Sequence, residues 1–345
     1  MAVLASDLIG QLLAERYRVE SIIGQGGQGV VYRARDEKAD RAVALKVLAE
    51  SVARDPQAAG RFTREQAALQ ALAGTAAVQA YDAGEMSDGG LYLVLELLEG
   101  RDLEQELKDL EQRGARLDLE RIAELITPIA ETLDIARREG IFHRDLKPAN
   151  IYLLSAGGVR LLDFGFARLR TSRKLTTDGT VMGSPCYISP EVWGGKSDLV
   201  DHRADVYSLG VILYRMLSGE LPFDAPSLVK VFELTTTAPR PSLKRLRPEL
   251  PQAIDEWVER ALAVDRELRY QSTGECLEEL YASIGAAEVL APVRATLRKQ
   301  WNEQRTSSAQ RIALVVQSAA AAIASWAAKI DARSERATPG RKSRS

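Results

Sequence analysis

His143-Arg144-Asp145-Leu146-Lys147-Pro148-Ala149-Asn150 places a carboxylate, an ammonium and a carboxamide close together, and Asp163-Phe164-Gly165 adds a second carboxylate soon after. Hard oxygen ligands such as Asn150 and Asp163 suit Mg²⁺. A carboxylate that holds no metal can take the proton of an attacking hydroxyl. Cation ligands for phosphate oxygens, a proton acceptor and a positive group for developing charge are what phosphoryl transfer requires. Any one acidic residue here reads better as a solvated loop charge. The whole string, in this order, does not.

Upstream, Gly24-Gln25-Gly26-Gly27-Gln28-Gly29-Val30-Val31 lies between two strand patterns. Glycines let backbone amides approach an anion closely and adopt positive φ. Alone, the loop fits a flexible hairpin as well as a phosphate cradle. A dinucleotide-binding fold would follow the glycines with a helix, whereas here a strand follows. Next comes Val43-Ala44-Leu45-Lys46, whose lysine is either an edge-strand surface charge or a group that reaches bound phosphates. Glu65 sharpens the choice. On a helix expected near 57–73 it shares the apolar face of Phe62 and Leu69. A carboxylate there is costly unless paired, and Lys46 is a suitable partner; the alternative is a solvated Glu at the margin of the stripe.

The elements that must position these groups follow from pattern. Strands are expected over 17–23, 30–34 and 42–48, then a helix opened by Asp55-Pro56 and stopped by Gly74, then a hairpin of 78–85 and 91–97 across Ser87-Asp88-Gly89-Gly90. Beyond Gly100 the period turns helical: Ile122, Leu125, Ile126, Ile129 and Leu133 mark one helix, which Pro128 should kink. Further helices are expected over 204–217 and 254–264, and 159–162 reads as a strand before Asp163.

Composition sets the outer limits. The 345 residues are 46% hydrophobic and 27% charged, enough for a buried core, and a formal net charge of −2 gives no case for nucleic-acid binding. Two cysteines and two histidines are too few for a Cys/His zinc site, and they point to a reducing, cytoplasmic setting. The N-terminus, with Asp7 and no basic lead into an apolar run, reads as no signal peptide. From Ala286 on there are 11 Lys/Arg against 4 Asp/Glu, a shift that marks a boundary near 285.

With these motifs in view, the chain resembles a eukaryotic-type (Hanks-type) protein kinase, with wording nearest the bacterial serine/threonine branch. The resemblance runs from about Tyr17 to about Gly285 and rests on GQGGQGVV, VALK, Glu65, HRDLKPAN, DFG, Ser189-Pro-Glu191, Asp205-Val-Tyr-Ser-Leu-Gly210 and Arg269. It implies a two-lobed α+β fold. A small antiparallel β-sheet lobe with one key helix spans about 17–98, a mainly helical lobe spans 99–285, and ATP lies between them. It follows a lead-in of 1–16 and precedes a helical extension over 286–331 and a basic disordered tail over 332–345.

The resemblance also implies roles. Asp145 accepts the hydroxyl proton, Lys147 steadies the γ-phosphate, Lys46 binds the α/β-phosphates and pairs with Glu65, and Asn150 and Asp163 hold Mg²⁺, with Mn²⁺ an alternative. The ATP-binding set is Ile23, Gly24, Gln25, Gly26, Gly27, Gln28, Gly29, Val30, Val31, Ala44, Lys46, Leu95 at the gatekeeper position, and Glu96 and Leu98 in the hinge. Asp205 ties the catalytic loop, Glu191 pairs with Arg269, and Ser184 stands in the substrate platform where Thr is usual. Arg144 is placed to receive a phosphate from an activation loop of about 168–182, with Thr171, Thr176, Thr177 and Thr180, besides Ser172, as candidate phosphosites. Protein substrates with Ser/Thr acceptors follow, with self-association for autophosphorylation as a further partner mode. A pseudokinase scaffold would have lost Lys46, Asp145 or Asp163, and a small-molecule phosphotransferase would lack the long loop ending in Pro-Glu.

Three features carry less. Cys186 in the platform reads as a packed thiol rather than a redox handle, and His202 as a helix-start residue rather than a ligand. The uncharged run 312–328 is short for a membrane span and has apolar residues at helical spacing. It is therefore expected to dock or self-associate, with membrane contact the less favoured reading.

Overall fold

The computed structural model describes residues 8–26, 29–48, 56–86, 89–164, 185–193 and 200–286, with 56–61, 63 and 64 described as backbone only. They fall into two compact units. Among the described residues, the first extends to Gln66 and takes in Gln79–Leu97; the second comprises Ala67–Val78 and the residues from Leu98 to Ala286.

The first unit is a six-stranded antiparallel sheet in the order β1-β2-β3-β4-β6-β5. Its strands are β1 (Leu12–Leu13), β2 (Tyr17–Gly26), β3 (Gly29–Asp36), β4 (Arg41–Leu48), β5 (Ala80–Glu85) and β6 (Leu91–Glu96). Alternation does the sorting. Tyr17, Val19, Tyr32, Ala34, Val43, Leu45, Val47, Tyr92 and Val94 build one core, because successive residues of a strand point to opposite faces. Helix α1 (Pro56–Ala71) follows β4. The lead-in belongs to this unit: β1 pairs with β2, and Leu13 joins the core. Arg16 grips the fully buried Asp36 with two bonds of 2.7 and 2.8 Å and also reaches Asp82.

Residues 76–78 depart from expectation. Val78 does not start the β5 hairpin; its N–H donates to Leu161 O, and Leu161 N–H donates to Ala76 O. A buried extended segment must find partners for its amides, and this one finds them on the strand before Asp163.

The second unit holds a small sheet, β7 (Gly100–Asp102), β8 (Ile151–Leu154) and β9 (Val159–Leu161), and eight helices among its described residues. These are α2 (Leu103–Gln112), α3 (Leu119–Arg138), α4 (Pro190–Trp193), α5 (Arg203–Ser218), α6 (Leu228–Thr237), α7 (Leu243–Leu246), α8 (Ala253–Ala261) and α9 (Thr273–Ser283). Asp102 and Asp118 cap α2 and α3 by accepting from Gln105 N and Arg121 N. Helix α3 runs unbroken through Pro128. An interior proline costs a helix about 3 kcal/mol, which the burial of Ile122, Leu125, Ile126, Ile129 and Leu133 offsets. Every residue of α5 is buried, so this helix is the axis on which the unit is built. Gly100 has φ +149°, and a Cβ there would sit 1.9 Å from Leu153 O, so the β7–β8 pairing requires glycine.

Among the described residues no helix is long and apolar enough to cross a membrane. The run 312–328, and all that was expected of 287–345, lie outside the described residues.

Candidate active site

In the first unit the glycine string forms a hairpin arm. Gly24, Gln25 and Gly26 end β2, and Gly29, Val30 and Val31 open β3, with Gly26 opposite Gly29. Gly29 has φ +151°, and a Cβ would meet Val47 O at 2.1 Å, so close strand approach demands glycine here. Gly26 has open space beside it. Ile23 is half exposed. Lys46 lies on β4 between Val31 and Leu93, and Ala44 lies beside Leu95 in the same ladder. Glu96 is tied at both ends of its residue: its N–H donates to Gln79 O, and its carboxylate accepts from Gln79 N at 2.8 Å.

Lys46 Nζ donates to Glu65 Oε1 at 3.1 Å, with both side chains largely shielded from water. Phe62 and Leu69, on the same face of α1, are buried. The carboxylate on an apolar stripe therefore has the cationic partner that desolvation demands.

In the second unit the loop of residues 143–150 is tied to its neighbours through His143. The imidazole is fully buried, its Nε2 lies 2.9 Å from Leu162 O, and Asp145 N–H points to Nδ1 at 3.3 Å. These partners assign the tautomer: Nε2 carries the proton and donates, and Nδ1 accepts. The ring also packs on Phe164, centroids 4.9 Å apart. Leu162 N–H donates to Asn150 O at 2.8 Å, so the residue before Asp163 is bonded to Asn150 itself.

Asp205, from α5, accepts the amides of His143 and Arg144 at 2.8 Å each. Burial raises its carboxyl above the usual range, against the pull of these two amides and of the Arg144 guanidinium. The bond at Arg144 N holds a left-handed residue, φ 62°, and Asp163 is left-handed as well, φ 46°. Two non-glycine residues in this sparsely populated region, one on each loop, mark backbone held against local preference.

Lys147 Nζ donates to Asp145 Oδ2 at 2.8 Å, and the Asn150 amide donates to Asp145 O at 2.8 Å. A carboxylate and a cation thus stand side by side. The Asn150 NH₂ is committed to the loop, which leaves Oδ1 as that side chain's acceptor. Asn150 Oδ1 and the Asp163 carboxylate form a small, hard oxygen set, fitting a divalent cation that draws its other ligands from phosphate and water.

Arg144 has a different environment. Burial lowers its pKa while Asp205 opposes, its guanidinium lies over the Phe142 ring at 5.5 Å, and among the described residues its buried Nε has no hydrogen-bond partner.

The segment 185–191 is anchored by buried partners. Arg269 is fully buried and holds both oxygens of Glu191, at 2.7 and 2.8 Å. Ser208 Oγ donates to Tyr187 O at 2.8 Å. Burial pushes the Cys186 thiol up to about 11, with Asp224 adding to the rise, so this is a packed thiol. His202 stands at the start of α5, its Nε2 3.0 Å from Gln271 O. Gly27, Gln28, Gly165, Thr171, Ser172, Thr176, Thr177, Thr180 and Ser184 lie outside the described residues. Sequence reasoning missed the Arg16–Asp36 clasp and a cluster around Arg215, because neither has a local signature.

The protein kinase domain model matches residues 17–282. The probable serine/threonine-protein kinase PknB of Lactococcus lactis is 37% identical over 276 residues, which cover 80% of this chain and 43% of the relative. Serine/threonine-protein kinase PrkC of Bacillus subtilis is 33% identical, covering 85% and 44%. The chain thus spans less than half the length of these relatives. The crystal structure of the Mycobacterium tuberculosis PknI kinase domain overlays with a TM-score of 0.63 at 29% identity, covering 82% of this chain and 99% of that one. With the family model matching most of its length, the chain belongs to the protein kinase family.

Proposed function

We propose that this chain is a protein serine/threonine kinase that transfers the γ-phosphoryl group of ATP to Ser or Thr hydroxyls of protein substrates. One observation carries the reading. Lys147 and Asp145 lie 2.8 Å apart in a loop whose Asn150 is bonded to the residue before Asp163. That supports a site in which proton acceptor, cation and metal-binding oxygens converge. Membership of the family brings ATP and a divalent cation; the hard oxygens of Asn150 and Asp163 favour Mg²⁺. When bound, the cation neutralises charge on the phosphate oxygens.

The chain's own residues do the rest. Lys46, held by Glu65, positions the phosphates. Asp145 accepts the proton of the acceptor hydroxyl. Lys147 is a cation for the charge that develops on the transferred group. Ser or Thr as acceptor is supported by Lys147 two residues after Asp145 and by the names of the relatives. The half-buried Arg144 guanidinium supports control by a phosphate on one of Thr171, Thr176, Thr177 or Thr180. Two buried, unpaired cysteines favour a cytoplasmic site of action.

Incubation of the full chain with Mg-ATP and mapping of the phosphorylated residues by mass spectrometry tests this. We expect phosphothreonine within 171–180, abolished in Asp145→Asn with ATP binding retained. Phosphate incorporation by Asp145→Asn at the wild-type rate would remove Asp145 from its role, and phosphate found only outside the loop would refute control through Arg144.

A further inference from the structure

Helix α5 carries a second buried arginine that the reaction above does not use. Arg215 is 5% exposed and donates four hydrogen bonds. Its Nε and Nη2 hold the two oxygens of Glu111 at 2.7 and 3.0 Å. Its Nη1 donates to Glu104 Oε2 and to the Tyr187 hydroxyl oxygen, each at 2.7 Å. Glu104 and Glu111 are two turns apart on α2 and so share a face. Ser208 and Arg215 are likewise two turns apart on α5. One face of α5 therefore grips Tyr187 twice, at its carbonyl through Ser208 and at its ring hydroxyl through Arg215.

The cluster is electrically closed. Two carboxylates face Arg215, and Lys108 lies 3.3 Å from Glu104. Buried ion networks of this kind add little net stability, since desolvation consumes most of their Coulombic gain. What they do fix is geometry, because the guanidinium is a planar fork and each bond constrains the others. Here the groups so constrained are helix α2 and the one aromatic ring of the Pro185–Tyr187 turn. That turn stands at the head of the segment that ends in Glu191.

We propose that Arg215 is a positioning residue for the protein substrate: it locks Tyr187, and with it the platform of residues 185–191, to helix α2. It sets the affinity for the acceptor without touching it. This rests on the reading of that segment as the substrate platform.

Tyr187→Phe is the sharp test, because it removes one hydroxyl, keeps the buried ring and leaves both Arg215–carboxylate pairs. Arg215→Lys keeps the charge and loses the fork. Steady-state transfer by the full chain is measured with myelin basic protein as acceptor, varying acceptor and ATP separately. We expect KM for the acceptor to rise about fivefold in Tyr187→Phe and about tenfold in Arg215→Lys, the size of one or two lost charge-assisted hydrogen bonds. KM for ATP should stay within about twofold, as it would not under general damage to the fold. Acceptor KM unchanged in Tyr187→Phe, or both KM values and kcat deteriorating together, overturns the inference while the kinase reading stands. A wild-type protein that phosphorylates no protein at all overturns the kinase reading and this inference with it.

Discussion

Arg269 offers a quantitative test of what holds the platform. All five of its N–H groups are in use: Nε on Ala263 O, Nη1 on Glu191 and Arg203 O, Nη2 on Glu191 and Val264 O. Its side chain is fully buried and Glu191 nearly so. Arg269→Lys keeps the charge but supplies three donors, so at least two of these acceptors lose their partner. An unsatisfied buried acceptor costs about 1–3 kcal/mol, and breaking a buried pair outright costs about 3–5 kcal/mol. We therefore expect Arg269→Lys to cost about 3 kcal/mol. For a domain of this size that lowers the melting temperature by roughly 6–12 °C. Thermal unfolding followed by circular dichroism reads it directly. Glu191→Ala, Arg269→Ala and the double variant complete a cycle, in which the double should cost at least about 2 kcal/mol less than the two singles added together. Arg269→Lys melting within about 2 °C of wild type, or strictly additive singles, would show that the buried pair does not hold the platform.

Three other perturbations have defined outcomes. Ser189 is 1% exposed and its Oγ has no hydrogen-bond partner among the described residues, so Ser189→Ala should stabilise by about 1 kcal/mol; a fall in melting temperature refutes this. Gly29→Ala should cost about 2–3 kcal/mol because its Cβ would meet Val47 O at 2.1 Å. Gly26→Ala, with open space beside it, should stay within about 1 kcal/mol; equal melting of the two variants is the contrary result. With the Cys186 thiol raised to about 11, the thiolate is the minor form at pH 8 and grows only as pH climbs. Alkylation of the folded protein at pH 8 should therefore be over a hundredfold slower than that of a free thiol, on the order of the drop in thiolate fraction. Peptide mapping that finds Cys186 rapidly modified at pH 8 contradicts it.

The candidate catalytic groups are legible in the sequence because their geometry is local. Asp145, Lys147 and Asn150 lie within one loop, and a 3₁₀ turn at Pro148–Asn150 is enough to bring the Asn150 amide back to Asp145 O. Lys46 and Glu65 were legible for a different reason: a carboxylate on an apolar helical stripe needs a partner, and burial supplies the logic that spacing cannot. The reading stopped short where contacts are long-range. The sequence puts Arg16 in a lead-in, yet it clasps Asp36 and Asp82, residues that no periodicity links to it. Pro128 signals a kink on backbone grounds alone; the helix carries it within one continuous span, and the buried side chains of α3 offset that local cost. Val78 reads as strand and is extended, but its partner is Leu161 rather than the hairpin that follows it. The Arg215 cluster shows the limit most plainly. Glu104 with Glu111, and Ser208 with Arg215, each share a helix face that spacing reveals. That Arg215 reaches Glu104, Glu111 and Tyr187 at once depends on where the folded chain brings these residues, which is a property of the whole unit rather than of either helix.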